Sequence, residues 1–237
     1  MLIAVAAVCW AITAQRMQGM DMGPGTALGS LGWFAVVWTT MMAAMMLPSI
    51  VPMALTYARA SRDSGASSPT AATFVFAAGY LLTWLGAGVV AYAVVRGARS
   101  LDLSWLAWDR GGPYVAGGVI VVAALYELTP VKARCLRHCR NPELLTRRWR
   151  PGMPGALAMG LEHGGYCVGS SWALMAALFA VGVMNVTWMI VIAALVALEK
   201  LLPSQRVAIG AIVVFIAVLG FTVAFAPGQV PALTIPM

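Results

Sequence analysis

Charge is scarce in this sequence. Only 10% of its 237 residues are Asp, Glu, Lys or Arg, while 61% are hydrophobic and the mean hydropathy is +0.86. A water-soluble domain carries about 25% charged residues, so this scarcity excludes an ordinary soluble fold and points to a chain whose solvent is mainly lipid. Acids are rarer than bases, eight against fifteen. The nucleotide and protease signatures are missing: there is no Gly-Lys-Ser/Thr phosphate loop, no dinucleotide fingerprint and no His-Glu-x-x-His zinc-protease motif. Their absence removes the commonest enzyme readings, and a non-enzymatic role is expected. No internal repeat is evident, and the length holds one membrane bundle over residues 1–237 without a separate soluble domain.

What is present is long apolar runs. The sequence predicts an all-α polytopic bundle of about seven spans: 2–14, 28–58, 70–95, 114–128, 155–183, 186–202 and 206–225. The first run is short and lacks both a basic leader and a small-residue cleavage pattern, so it reads as a helix rather than a signal. Pro48 and Pro52 are expected to kink the second span, and Gly164-Gly165 to kink or unwind the fifth. Asp102, Trp105, Trp108 and Asp109 suit the headgroup level before the fourth span. The net charge of +7 is no nucleic-acid signal. Seven of the fifteen bases, Lys132, Arg134, Arg137, Arg140, Arg147, Arg148 and Arg150, lie in one connection. With that connection inside, the inner loops hold eleven bases and the outer ones four, which predicts an inside N-terminus and places the basic segment on the cytoplasmic face of a bacterial inner membrane.

The basic segment also gathers the reactive side chains. Cys135, His138 and Cys139 are spaced three and four apart, which puts them on one helical face about 5–6 Å apart. Thiolate and imidazole there suit copper or zinc, and three cysteines flanking a cytoplasmic loop favour metal or redox chemistry over a structural disulfide. Cys9, in the first run, reads as packing. Further on, Glu162, His163 and Cys167 interrupt an apolar span, where ionisable groups face the bundle interior. Cys167 and His163 therefore complete the candidate ligand set, with Glu162 and Glu127 as supporting carboxylates. Salt-bridging is the expected role of Glu127, to Lys132 or an arginine, and of Glu199, beside Lys200. Met17, Met20 and Met22 form a candidate outer soft-metal loop, whereas Met41, Met42, Met45 and Met46 read as core packing.

Four stretches carry a resemblance. They are Met41-Met42-Ala-Ala-Met45-Met46-Leu-Pro48-Ser, Tyr126-Glu-Leu-Thr-Pro130-Val-Lys132, Cys135-Leu-Arg-His138-Cys139-Arg-Asn-Pro142, and Gly160 through His163-Gly and Tyr166-Cys167-Val-Gly169 to Trp172. Together they resemble the bacterial domain-of-unknown-function 2182 family, described as predicted metal-binding integral membrane proteins. The similar core runs over about residues 33–202, and it implies a metal-linked membrane role. The family pattern usually has two further cysteines before Trp172, where this chain has Ser170 and Ser171 and so fewer thiolates. The leading expectation is a membrane protein that handles copper first and zinc second. It would act alone or as an accessory subunit beside a membrane partner or a second copy, without nucleic acid. A thiol-based membrane oxidoreductase using Cys135, Cys139 and Cys167, or a purely structural subunit, is the alternative.

Overall fold

The computed structural model describes residues 1–17, 29–65, 68–100, 108, 110–147, 149–182, 185–202, 205–231 and 233. Among them are nine α-helices: α1 Leu2–Met17, α2 Leu31–Asp63, α3 Pro69–Ser100, α4 Gly112–Glu127, α5 Pro130–Arg140, α6 Pro142–Arg147, α7 Gly152–Val181, α8 Val186–Leu201 and α9 Gln205–Phe225. A short 3₁₀ turn, Pro227–Gln229, follows. The described residues include no strand, as the all-α reading expects.

Local chemistry explains the boundaries. Ser30 caps α2 by accepting from the Trp33 amide at 3.3 Å. Thr129 caps α5 by accepting from the Lys132 amide at 3.3 Å, and Pro130 occupies the first turn, where it has no amide to satisfy. That stop-and-restart bends α5 by 66° from α4. Asn185 accepts from the Thr187 and Trp188 amides at 2.9 and 3.3 Å and starts α8.

Four helices are long and apolar enough to cross a bilayer: α2, α3 and α7, together with α9 from Arg206. The bent α4–α5 pair makes a fifth if it is one span. α1 and α8, each of 16 residues, extend only about 24 Å at 1.5 Å per residue. Val207, Val214, Val218, Phe221 and Phe225 of α9 are exposed, as suits a lipid-facing helix surface.

α7 is the central element, packed on α3, α4 and α5. The expected unwinding at Gly164-Gly165 does not occur, since α7 is continuous from Gly152 to Val181. Gly164 and, one turn before it, Gly160 serve close approach instead. A Cβ at Gly164 would stand 2.7 Å from the Thr83 side chain of α3, and one at Gly160 would run into the Phe76 carbonyl. Small residues let helix backbones meet in lipid, where packing replaces the hydrophobic drive. α2 likewise runs as one helix with Pro48 and Pro52 inside it. Met41, Met42, Met45 and Met46 are all buried, as their packing reading predicts.

Candidate metal centre

Where α5, α7 and α8 meet, the apolar core gives way to a chain of buried polar groups. Lys132 of α5 is fully buried and lies between two carboxylates, Glu127 at the end of α4 and Glu199 of α8, the latter at 2.5 Å. Arg140, at the other end of α5, donates to the Glu199 carbonyl at 2.7 Å and to the Leu202 carbonyl at 2.5 Å. α5 is therefore clamped to the C-terminal end of α8 by two cations. Basic groups at a helix C-terminus also complement its dipole.

The next residue of α8, Lys200, points to sulfur. Its Nζ donates to Cys167 Sγ at 2.9 Å and to Ser49 Oγ of α2 at 3.3 Å. The Tyr80 hydroxyl of α3 lies 3.0 Å from the same sulfur. Cys167 is wholly buried, and Cys139 of α5, 7% exposed, is its close neighbour across Ser170. Cys139 Sγ lies 3.9 Å from Ser170 Oγ, whose hydroxyl donates to the Cys167 carbonyl at 2.9 Å. Four helices and α5 thus converge on two thiols from different elements. An ammonium and a phenol stand ready to donate to a thiolate at Cys167. Charge-assisted hydrogen bonds of this kind are about twice as strong as neutral ones. The pair has the chemistry to bind a soft monovalent cation or to form a disulfide.

The sequence profile of the copper chaperone family PpoB2 matches residues 35–223. This chain belongs to that family. The match spans almost all of α2 through most of α9, so every helix that builds the thiol pair lies within it. No curated protein matches the chain. No solved structure matches it either. Membership in the PpoB2 copper chaperones supports the copper-linked part of the sequence reading.

The sequence-predicted residues divide into three groups within this PpoB2 fold. Cys139 and Cys167 come together as described. His163 sits one turn from Cys167 on the same buried face, its ring centroid 5.9 Å from Phe76 and 6.0 Å from Tyr80. Cys135 and His138 lie on the rim: Cys135 is half-buried against Gly169, and His138 stacks on Tyr166 with ring centroids 4.1 Å apart. Glu127 pairs with Lys132, while Glu162 lies 3.9 Å from Arg150. Among the described residues no group of three or more His, Cys, Asp or Glu is poised to hold one metal ion, so the one-face spacing of Cys135, His138 and Cys139 does not by itself make a cluster. Met17 is buried at the end of α1; Met20 and Met22 lie outside the described residues, as do Asp102, Trp105 and Asp109.

Tyr80, Lys200 and Ser49 were not singled out by the sequence reading. Lys200 carried the one available signal, a second charge beside Glu199 at the end of an otherwise apolar helix. Its direction was hidden, because neighbouring residues on a helix point about 100° apart. Glu199 therefore turns to Lys132 while Lys200 turns to Cys167.

Proposed function

We propose that this chain is an integral membrane copper chaperone that carries Cu(I) between the thiolates of Cys139 and Cys167. The observation that carries this is the pairing of two buried thiols from α5 and α7 beneath the Lys200 ammonium. Soft thiolate ligands select Cu(I), which is stable with two sulfur donors. Zinc demands about four ligands in a tetrahedron, and the absence of a three-residue cluster among the described residues favours copper over it. Bound Cu(I) with two thiolates carries one negative charge, and Lys200 supplies the opposite charge within the bundle, where an unpaired ion is costly. His163, one turn from Cys167, and Cys135 and His138 at the rim are the further ligands along which the ion would be passed.

In this reading the protein sits in the inner membrane with seven spans, an inside N-terminus and α5–α6 on the cytoplasmic face, as the eleven-to-four distribution of bases supports. The 16-residue α1 and α8 span where the bilayer thins locally and flanking polar side chains reach to the headgroups. Delivery to a membrane partner is the role that suits a carrier of this kind.

The test is anaerobic Cu(I) titration of the detergent-purified protein against a chromophoric competitor, with elemental analysis of the loaded sample. One Cu(I) per chain is expected, lost in Cys139→Ser and in Cys167→Ser. Stoichiometric zinc with no copper would refute the copper assignment. A Cys139–Cys167 disulfide that turns over with a dithiol reductant, without Cu(I) binding, would replace it with the oxidoreductase reading.

A further inference from the structure

A cavity of about 620 Å³ opens beside α5, lined by Arg137, His138, Arg140, Asn141, Pro142 and Leu144. Its volume falls in the range of small-molecule sites, about 300–1,000 Å³. Its wall is cationic. Arg137 is exposed and Arg140 half-buried, and the exposed Arg134 lies one turn back on α5. Lys132 adds little to this field because two buried carboxylates flank it. A bare Cu⁺ ion is repelled by such a wall, whereas an anion is drawn to it.

His138 supplies a docking atom in the same wall. Its Nδ1 lies 3.0 Å from the Arg134 carbonyl oxygen, which can only accept, so Nδ1 carries the proton. In the neutral ring that leaves Nε2 with its lone pair free to bind a metal. A backbone carbonyl holding the other ring nitrogen is the usual support for a ligating histidine. Tyr166, stacked on the ring, fixes its plane. Cys135 and Cys139 lie three positions before and one position after His138 on this helix, and Cys139 leads to Cys167.

We propose that this cavity receives copper as an anionic Cu(I) complex of a small thiol, and that His138 Nε2 is the ligand that first takes the ion. The inference rests on the Cu(I) reading of the thiol pair. The exchange is redox-neutral. A Cu–S bond to the donor breaks as the Cu–Nε2 bond forms, and the released donor thiolate takes up a proton from solvent. Passage on to the cysteines replaces their thiol protons, which also leave to solvent.

Stopped-flow transfer separates this from the equilibrium site. Cu(I) is offered either as its glutathione complex, which is anionic, or as its acetonitrile complex, which is cationic, and formation of the protein's Cu–thiolate absorption is followed. Transfer from glutathione is expected to be the faster of the two, to slow with added salt, and to slow by about tenfold or more in an Arg134→Gln/Arg137→Gln variant. His138→Asn should slow transfer from both donors. The equilibrium Cu(I) content of the arginine variant, and the helicity of both variants by circular dichroism, should match the wild type. Equal rates from the two donors, no salt dependence and an unaffected arginine variant would overturn the cationic-mouth proposal. An unaffected His138→Asn variant would overturn the docking ligand. Loss of equilibrium Cu(I) binding in the wild type would instead refute the thiol-pair reading, and this inference with it.

Discussion

Replacing Lys132 by Met probes the ion network that holds α5 in place. Lys132 Nζ is 0% exposed and sits 2.5 Å from Glu199 Oε1, with Glu127 on its other side. At that distance and an effective dielectric of about 20, one pair attracts by about 6–7 kcal/mol before desolvation is counted. Desolvation offsets most of this, so the intact triad contributes little net stability compared with an apolar core. Removing the cation alone is different, because it strands two buried carboxylates. Breaking a buried pair in this way costs about 3–5 kcal/mol. Lys132→Met is therefore expected to lower the unfolding free energy by about that amount, measured by helicity during denaturant titration in mild detergent. A Lys132→Met/Glu127→Gln/Glu199→Gln chain removes all three charges and should recover most of the loss. Because Lys132 ties α5 to α8, the single variant should also weaken Cu(I) binding, as Cys139 is no longer held near Lys200 and Cys167. A Lys132→Met protein as stable as the wild type, or a triple variant no better than the single one, would refute the reasoning.

Two further outcomes follow from the same geometry. Lys200→Met removes the 2.9 Å donor to Cys167 while keeping side-chain bulk; losing a charged hydrogen bond of about 1.5–3 kcal/mol should weaken Cu(I) affinity by about 10- to 100-fold in competitor titrations, with Arg in its place restoring part of it. Gly160→Ala drives a methyl into the Phe76 carbonyl where α3 and α7 cross, and should cost about 1–3 kcal/mol by the same unfolding assay, whereas Gly165→Ala, with open space around it, should be near neutral.

The sequence by itself determined the class of the molecule. Sparse charge and long apolar runs point to helices that satisfy their own backbone polar groups, four of them long and apolar enough to cross a bilayer, and the burial of the α2 methionines suits the same composition. It also marked Cys139, Cys167 and the pairing of Glu127 with Lys132, because thiols and ions in such surroundings stand out. Spacing along one helix could not decide which thiols meet. Cys135 and Cys139 share α5, yet Cys139 finds its partner on α7, and His138 turns to the rim against Tyr166. The glycines of α7 illustrate the same limit. Their freedom suggests a break, but α3 crosses there and uses the missing side chains as room for its own backbone. Lys200 was ambiguous for the same reason: its neighbour Glu199 offers the obvious counter-ion, and only the rotation of α8 against α5 and α7 assigns Glu199 to Lys132 and leaves Lys200 for sulfur. Composition and periodicity are properties of one segment, whereas a site built between segments depends on how those segments cross.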